Sequence, residues 1–278
     1  MMNIGFIGAG KAGFCLGQYL AEKGQALVGY ASRSPGPAQE AASLTGSAYF
    51  PDPMALIKAA DLIFLTVPDG LIESVWLSLA DGPVAGKIFA HCSGSLSSEA
   101  FVGIESKGAQ GISLHPLMAI PDKLRSHKLL AETFFAIEGP EPALSRVLGL
   151  VASLGNEVRP LDKAKKPLYH CAAAFVSNFS VALAFAGAEM LESCGLGEAQ
   201  GALFRLMLSN ARSIGEYGPV AALTGPVERG DAGTVAGHLA VLSGEDRELY
   251  RLLAKKLLKV AALKRPERDY ASLAALLA

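Results

Sequence analysis

Gly8, Gly10 and Gly13 form the spacing G-x-G-x-x-G. They follow a short apolar run, Asn3–Ile7, that reads as a strand, and they open Ala12–Lys23, which reads as a helix. In that setting each glycine has its own task. Gly8 permits the tight turn, Gly10 lets the backbone approach a pyrophosphate, and Gly13 lets helix and strand pack closely. The helix N-terminus, with Lys11 and Ala12, presents free N–H groups to the anion. A dinucleotide site is therefore expected. An NAD site would carry an acidic residue at the end of the second strand, about 20 residues on. That place reads Ser32-Arg33-Ser34, a cationic fork between two hydroxyls, which predicts NADP through its 2′-phosphate.

The carboxyl ends of further strands should complete the crevice. They supply Val67, Pro68 and Asp69, then Ser93, then His115. His91, Cys92 and His115 lack the closely paired spacing of a zinc site, so no metal is expected.

A second set of reactive types lies on one helical pattern. At 100° per residue, Lys166, His170 and Ser177 fall within about 60°, and Asn178 about 80° from His170. A polar stripe on an otherwise apolar helix can face a crevice. Reduction of a C=O or C=N bond needs a proton donor, which His170 or Lys166 can be, with His115 and Thr224 as further candidates. Asn178 can hold a small-molecule substrate, and Arg229 can clamp its carboxylate with two parallel hydrogen bonds.

These residues need elements to position them. Through residue 161 short apolar runs alternate with helical patterns, with strands expected at Asn3–Ile7, Ala26–Ala31, Asp61–Val67, Lys87–His91, Ala109–Leu114, Thr133–Ile137 and Glu157–Leu161. Helices fit at Ala38–Leu44 after a Pro35-Gly36-Pro37 turn, and at Pro53–Ala60, Leu71–Leu79, Leu96–Ser106 and Pro142–Leu154. Strands alternating with helices predict an α/β fold with a doubly wound, mostly parallel sheet. From residue 162 strand signals stop, and long helices are expected at Lys163–Ser193, Glu198–Glu216, Ala232–Leu242, Glu245–Leu263 and Pro266–Leu277. The expected division is residues 1–161, a nucleotide-binding domain, and residues 162–278, an all-helical domain.

Composition narrows the function classes. Of 278 residues 51% are apolar and 18% charged, with net charge −1. Such a chain has ample core and no field to draw nucleic acid or an anionic membrane. The nearly all-apolar stretch Cys171–Met190 is read as a buried or subunit-facing helix rather than a membrane span, which predicts a homodimer through the helical domain. Four scattered cysteines without a CxxC pair, and an N-terminus lacking a basic leader, fit a cytoplasmic protein.

Six motifs together resemble a known family. They are the glycine-rich N-terminus, Thr66-Val67-Pro68-Asp69, the run HCSGSLS from His91, the run SLHPL from Ser113, the run YHCAAAFVSNF from Tyr169 and the run ALTGPVERGD from Ala222. The chain is similar to Rossmann-like oxidoreductases with a C-terminal helical domain of unknown function, themselves similar to pyrroline-carboxylate and ketopantoate reductases. The resemblance implies an NADP-binding fold, a dimer through the helical domain, and reduction of a small keto acid or cyclic imine. A non-catalytic NADP(H) sensor is the alternative. Ketopantoate reductases place a catalytic Lys four residues before an Asn. Here Lys166 precedes His170 by four, and Asn178 lies eight further.

Overall fold

A computed structural model describes residues 1–278. The first part of the chain runs β1 (Ile4–Ile7), α1 (Lys11–Glu22), β2 (Leu27–Ala31), α2 (Pro35–Thr45), β3 (Ala48–Tyr49), α3 (Pro53–Ala59), β4 (Leu62–Leu65), α4 (Ile72–Leu79) and β5 (Ile88–His91). It continues through β6 (Gln110–Pro116), β7 (Phe135–Glu138), α5 (Ala143–Ser153), β8 (Val158–Pro160) and α6 (Lys166–Val176). One sheet holds all the strands in the order β3-β2-β1-β4-β5-β6-β7-β8. Strands β1 to β6 are parallel; β7 runs antiparallel to β6, and β8 parallel to β7. The order reverses between β1 and β4, the switch point where such sheets bind ligands.

Every residue of β1, β4 and β5 is buried, as expected of strands covered on both faces. Period-2 alternation divides them between two cores. On one face Phe6 stacks between Tyr30 and Phe64, at ring separations of 5.0 and 5.2 Å, under α1, α2 and α5. On the other, Trp76 of α4 meets Phe89 and Phe101 edge-on, with Ile7, Ile63 and Leu65 around them. Each such aromatic pair adds about 1 kcal/mol beyond area burial.

Three local expectations change. Helix α2 starts at Pro35, because proline suits the first helical position, so Pro35-Gly36-Pro37 is helix rather than turn. Residues 96–106 form two short 3-10 turns, Ser98–Ala100 and Ile104–Lys107, in place of one helix; Gly103 at φ +70° cannot propagate a helix through the middle. The short β3 carries too little apolar pattern to announce itself.

The chain divides into two units, Met1–Ser177 and Asn178–Ala278. The strands end near residue 161, but α6 stays with the sheet unit, so the units separate later than the strand pattern does. The expected Lys163–Ser193 helix is interrupted. A 3-10 turn at Lys163–Lys165 leads into α6, Ser177 forms a distorted turn at φ −104° and ψ −72°, and α7 follows (Asn178–Ser193). Serine and asparagine at such a point compete with the backbone for its own hydrogen bonds. By length and composition the 31-residue stretch could cross a membrane. Broken into helices of 11 and 16 residues, neither part reaches the roughly 20 residues a span requires.

The second unit is all helical: α7, α8 (Gln200–Ala222, bent at Gly218-Pro219), α9 (Pro226–Arg229), α10 (Ala232–Val241), α11 (Gly244–Lys264) and α12 (Ala271–Leu277). Its core is small, built on Val227, Val235, Leu239, Ala254, Ala261, Leu273 and Leu277. Asp231 caps α10 by accepting the Thr234 N–H at 2.9 Å. Helices α7 and α8 instead expose large apolar side chains, among them Phe185 at 65% and Leu206 at 65%.

Candidate functional site

The glycine turn lies between β1 and α1, and its three glycines differ in what constrains them. Gly8 sits at φ +104°, and a Cβ there would stand 2.6 Å from the Thr66 carbonyl oxygen. A Cβ on Gly13 would collide with Thr66 Oγ1 and with the Gly8 carbonyl. Both are therefore demanded by the protein's own packing. Gly10 is not: the nearest atom to its would-be Cβ is 3.9 Å away, and the residue is exposed. Its backbone is open to approach from solvent. The N–H groups of Lys11, Ala12 and Gly13 open α1 with no side-chain cap, and the helix dipole favours an anion there. The turn fits a pyrophosphate.

At the end of β2, Ser32, Arg33 and Ser34 lead into α2. Arg33 is exposed and makes no ion pair, so its fork is available to a ligand. Val67, Pro68 and Asp69 follow β4, and Thr66 just before them donates its hydroxyl to Gly8 O at 2.7 Å.

Ser93, after β5, ties the nucleotide side to a polar cluster. Its hydroxyl donates to Asp69 Oδ2 at 2.6 Å and accepts the Leu96 N–H at 3.0 Å. Its N–H donates to His91 Nδ1 at 3.2 Å, which leaves His91 Nε2 to donate to Ser97 O at 3.0 Å. Both bonds suit a neutral ring, and burial pulls the His91 pKa down to about 4. The carbonyl of Ser93 accepts from Lys166 Nζ at 3.3 Å, and Lys166 also donates to Ser113 Oγ at 2.7 Å. Lys166 is 1% exposed, so burial lowers its proton affinity while the carboxylates of Glu138 and Asp69 oppose that shift.

Beside this lysine, His115 Nδ1 and the Tyr169 hydroxyl lie 2.8 Å apart, their rings edge-to-face. His170, exposed on α6, sets its ring edge-to-face with His115 at 6.1 Å. A Cβ on Gly94 would stand 2.5 Å from His170 Cδ2 and 2.9 Å from His115 Nε2, so both imidazoles reach over a backbone that only glycine leaves clear. Burial, then the charges of Lys166 and His170, pull the His115 pKa down to about 4. Burial pushes the Tyr169 phenol up to about 12.

His115, Lys166 and His170 are thus brought together within the first unit, together with Asp69 and Ser93. The stripe expected on α6 is divided: Lys166 is buried and already bonded, and His170 is exposed. Asn178, Thr224 and Arg229 lie in the second unit. Asn178 is the exposed first residue of α7. Thr224 is exposed in a connector held by Lys264, whose Nζ reaches the Ala221 and Leu223 carbonyls. Arg229 ends α9, exposed, while its neighbour Glu228 takes the ion pairs with Arg265 and Arg268. Sequence reasoning missed Thr66, Ser113 and Tyr169. Their hydroxyls stand inside quoted motifs, but nothing in a spacing shows what a hydroxyl meets across the sheet.

No group of three or more His, Cys, Asp or Glu is placed to hold a metal ion. All four cysteines are free. Burial raises the thiol pKa of Cys15 to about 11 and of Cys92 to about 12, while Cys171 and Cys194 are exposed.

Comparisons with known proteins cover nearly the whole chain. No curated protein matches the sequence. A Thermotoga maritima protein of solved structure is 28% identical, covering 94% of this chain and 99% of its own, at a TM-score of 0.74. A Bacteroides fragilis protein, named by inference as an NADP oxidoreductase, is 26% identical over 93% of this chain and 98% of its own, with TM-score 0.72. The pyrroline-5-carboxylate reductase of Coxiella burnetii shares the fold at 15% identity, 99% and 96% coverage and TM-score 0.62. Residues 1–116 match the Rossmann-like domain, and residues 133–257 match the domain of unknown function DUF2520. The chain joins a Rossmann-like domain to a DUF2520 domain.

Proposed function

We propose that the protein is an NADP-dependent oxidoreductase that reduces a small keto acid or cyclic imine. The observation that carries this is the position of Ser93, bonded through its hydroxyl to Asp69 beside the nucleotide turn and through its carbonyl to Lys166 beside two imidazoles. A cofactor cradle and a set of proton-bearing groups are thereby held by one residue. The name of the Bacteroides fragilis relative supports the same class. NADPH, when bound, supplies the hydride to the carbon of the C=O or C=N bond. The rest falls to the chain. His170, exposed at Gly94, gives the proton that the reduced oxygen or nitrogen takes up. Lys166, buried and bonded, fixes the Ser93 carbonyl and lends positive charge to the cluster. Asn178, Arg229 and Thr224 belong to the second unit and stay substrate-binding candidates on their chemistry alone.

The same reading makes the protein a cytoplasmic homodimer. The exposed apolar side chains of α7 and α8 are more than a lone subunit leaves wet, and a second copy is the occupant that covers them.

A panel of keto acids and imines, with NADPH oxidation followed by absorbance, tests the reading. His170→Ala should lower kcat by about 100-fold, the size of a lost acid contribution, with NADPH affinity unchanged. Asn178→Ala should chiefly raise KM. Tight NADPH binding with no turnover on any compound makes the protein an NADP(H) sensor instead.

A further inference from the structure

We infer that Tyr169 is a positioning residue: its hydroxyl holds His115 in the tautomer whose Nε2 carries the proton, so that His115 meets the substrate's acceptor atom as a hydrogen-bond donor. This rests on the reductase reading for its substrate, and on geometry for the rest.

A phenol 2.8 Å from a ring nitrogen shares one proton with it, and either partner can be the donor. Here the surroundings keep both partners neutral. Tyr169 is half-buried and holds its proton up to about pH 12, so its O–H is present throughout the neutral range. Three elements face His115. Helix α6 brings Lys166, Tyr169 and His170, the turn after β4 brings Asp69, and β5 brings His91. Only Asp69 favours a charged ring; Lys166, His170 and His91 oppose it, and so does burial. His115 is therefore neutral with a single ring proton. If Tyr169 donates to Nδ1, that proton sits on Nε2.

Nε2 is also the ring atom turned toward Gly94. It lies beside Gly94, where no side chain can stand, and no protein acceptor takes its proton. A neutral imidazole N–H is a weaker acid than imidazolium. It polarises a carbonyl or imine without surrendering the proton, which leaves His170 to give it. The division of labour between two histidines of one site then follows from environment: His115 is half-buried and locked by a phenol, whereas His170 is exposed.

Nitrogen NMR on protein labelled at histidine nitrogens tests this without turnover, with His115→Gln assigning the His115 signals. The parent protein should show His115 protonated on Nε2 alone, unchanged from about pH 5 to pH 8. Tyr169→Phe removes only the oxygen. It should give a mixture of tautomers and raise the ring's titration midpoint, because the donor that favoured the neutral form is gone. On a substrate that turns over, kcat/KM should fall about tenfold, the worth of one hydrogen bond, with NADPH affinity within about twofold. A parent His115 protonated on Nδ1, or cationic at pH 7, overturns the inference even if Tyr169→Phe fails to fold. An unchanged tautomer in Tyr169→Phe overturns it too. Failure of the reductase reading is separate: it shows as no NADPH oxidation with any compound, whatever the tautomer.

Discussion

The Thr66 hydroxyl donates to the Gly8 carbonyl oxygen at 2.7 Å, and the same hydroxyl fills the space that a side chain on Gly13 would need. Strand β4 thereby holds the glycine turn from below. Gly13→Ala should overpack this contact and cost roughly 1–3 kcal/mol of stability, seen as a lower Tm. Gly10→Ala meets nothing in the protein and should leave Tm nearly unchanged while weakening NADPH binding at least tenfold. Equal effects of the two substitutions on Tm would refute the distinction drawn between them.

Arg33 stands unpaired after β2 with no carboxylate beside it in the sequence. NADPH should bind several-fold more tightly than NADH by fluorescence titration, and Arg33→Ala should remove most of the difference. Equal affinities in the parent protein would sink the 2′-phosphate assignment.

Acid should destabilise the first unit through two imidazoles, one buried and one half-buried. His91 and His115 titrate near 4 in the folded chain and near 6.5 when unfolded. Between those values the unfolded chain binds more protons, so stability rises with pH across the window and is lost as pH falls through it. Each ring contributes at most roughly 3 kcal/mol to that loss. Urea melts at steps from pH 7 to pH 4 measure the slope, and His115→Gln should flatten it. An unaltered slope in that variant would assign the acid loss to other groups.

Light scattering at micromolar concentration should report a dimer. Phe185→Asp on α7 should shift it toward monomer while the folded far-ultraviolet signal persists. A parent protein that scatters as a monomer contradicts the second-copy reading.

The sheet was legible because buried parallel strands are continuously apolar, and because glycine spacing has a steric meaning that sequence carries whole. The second unit's helices were legible from the same periodicity. What escaped has a common physical origin. The break falls at Ser177-Asn178, residue types that disfavour a helix interior only weakly and so do not announce a stop. Lys166 and His170 share a stripe at helical spacing, yet one is buried and one exposed. Tyr169 stood only as the first residue of a motif; its partner His115 is 54 positions away and is brought to it by β6. Local patterns name the elements, and contacts across the sheet decide which hydroxyl meets which ring.

The thiols of the chain fall into two reactivity classes. Cys15 and Cys92 hold their protons well above physiological pH, so alkylating reagents should pass them by. Cys171 lies on α6 in the first unit and Cys194 just after α7 in the second, both exposed. The native sequence thus supplies one labelling handle on each side of the boundary. A donor and an acceptor dye attached there would make a spectroscopic ruler between the units, ready to report whether NADPH draws them together.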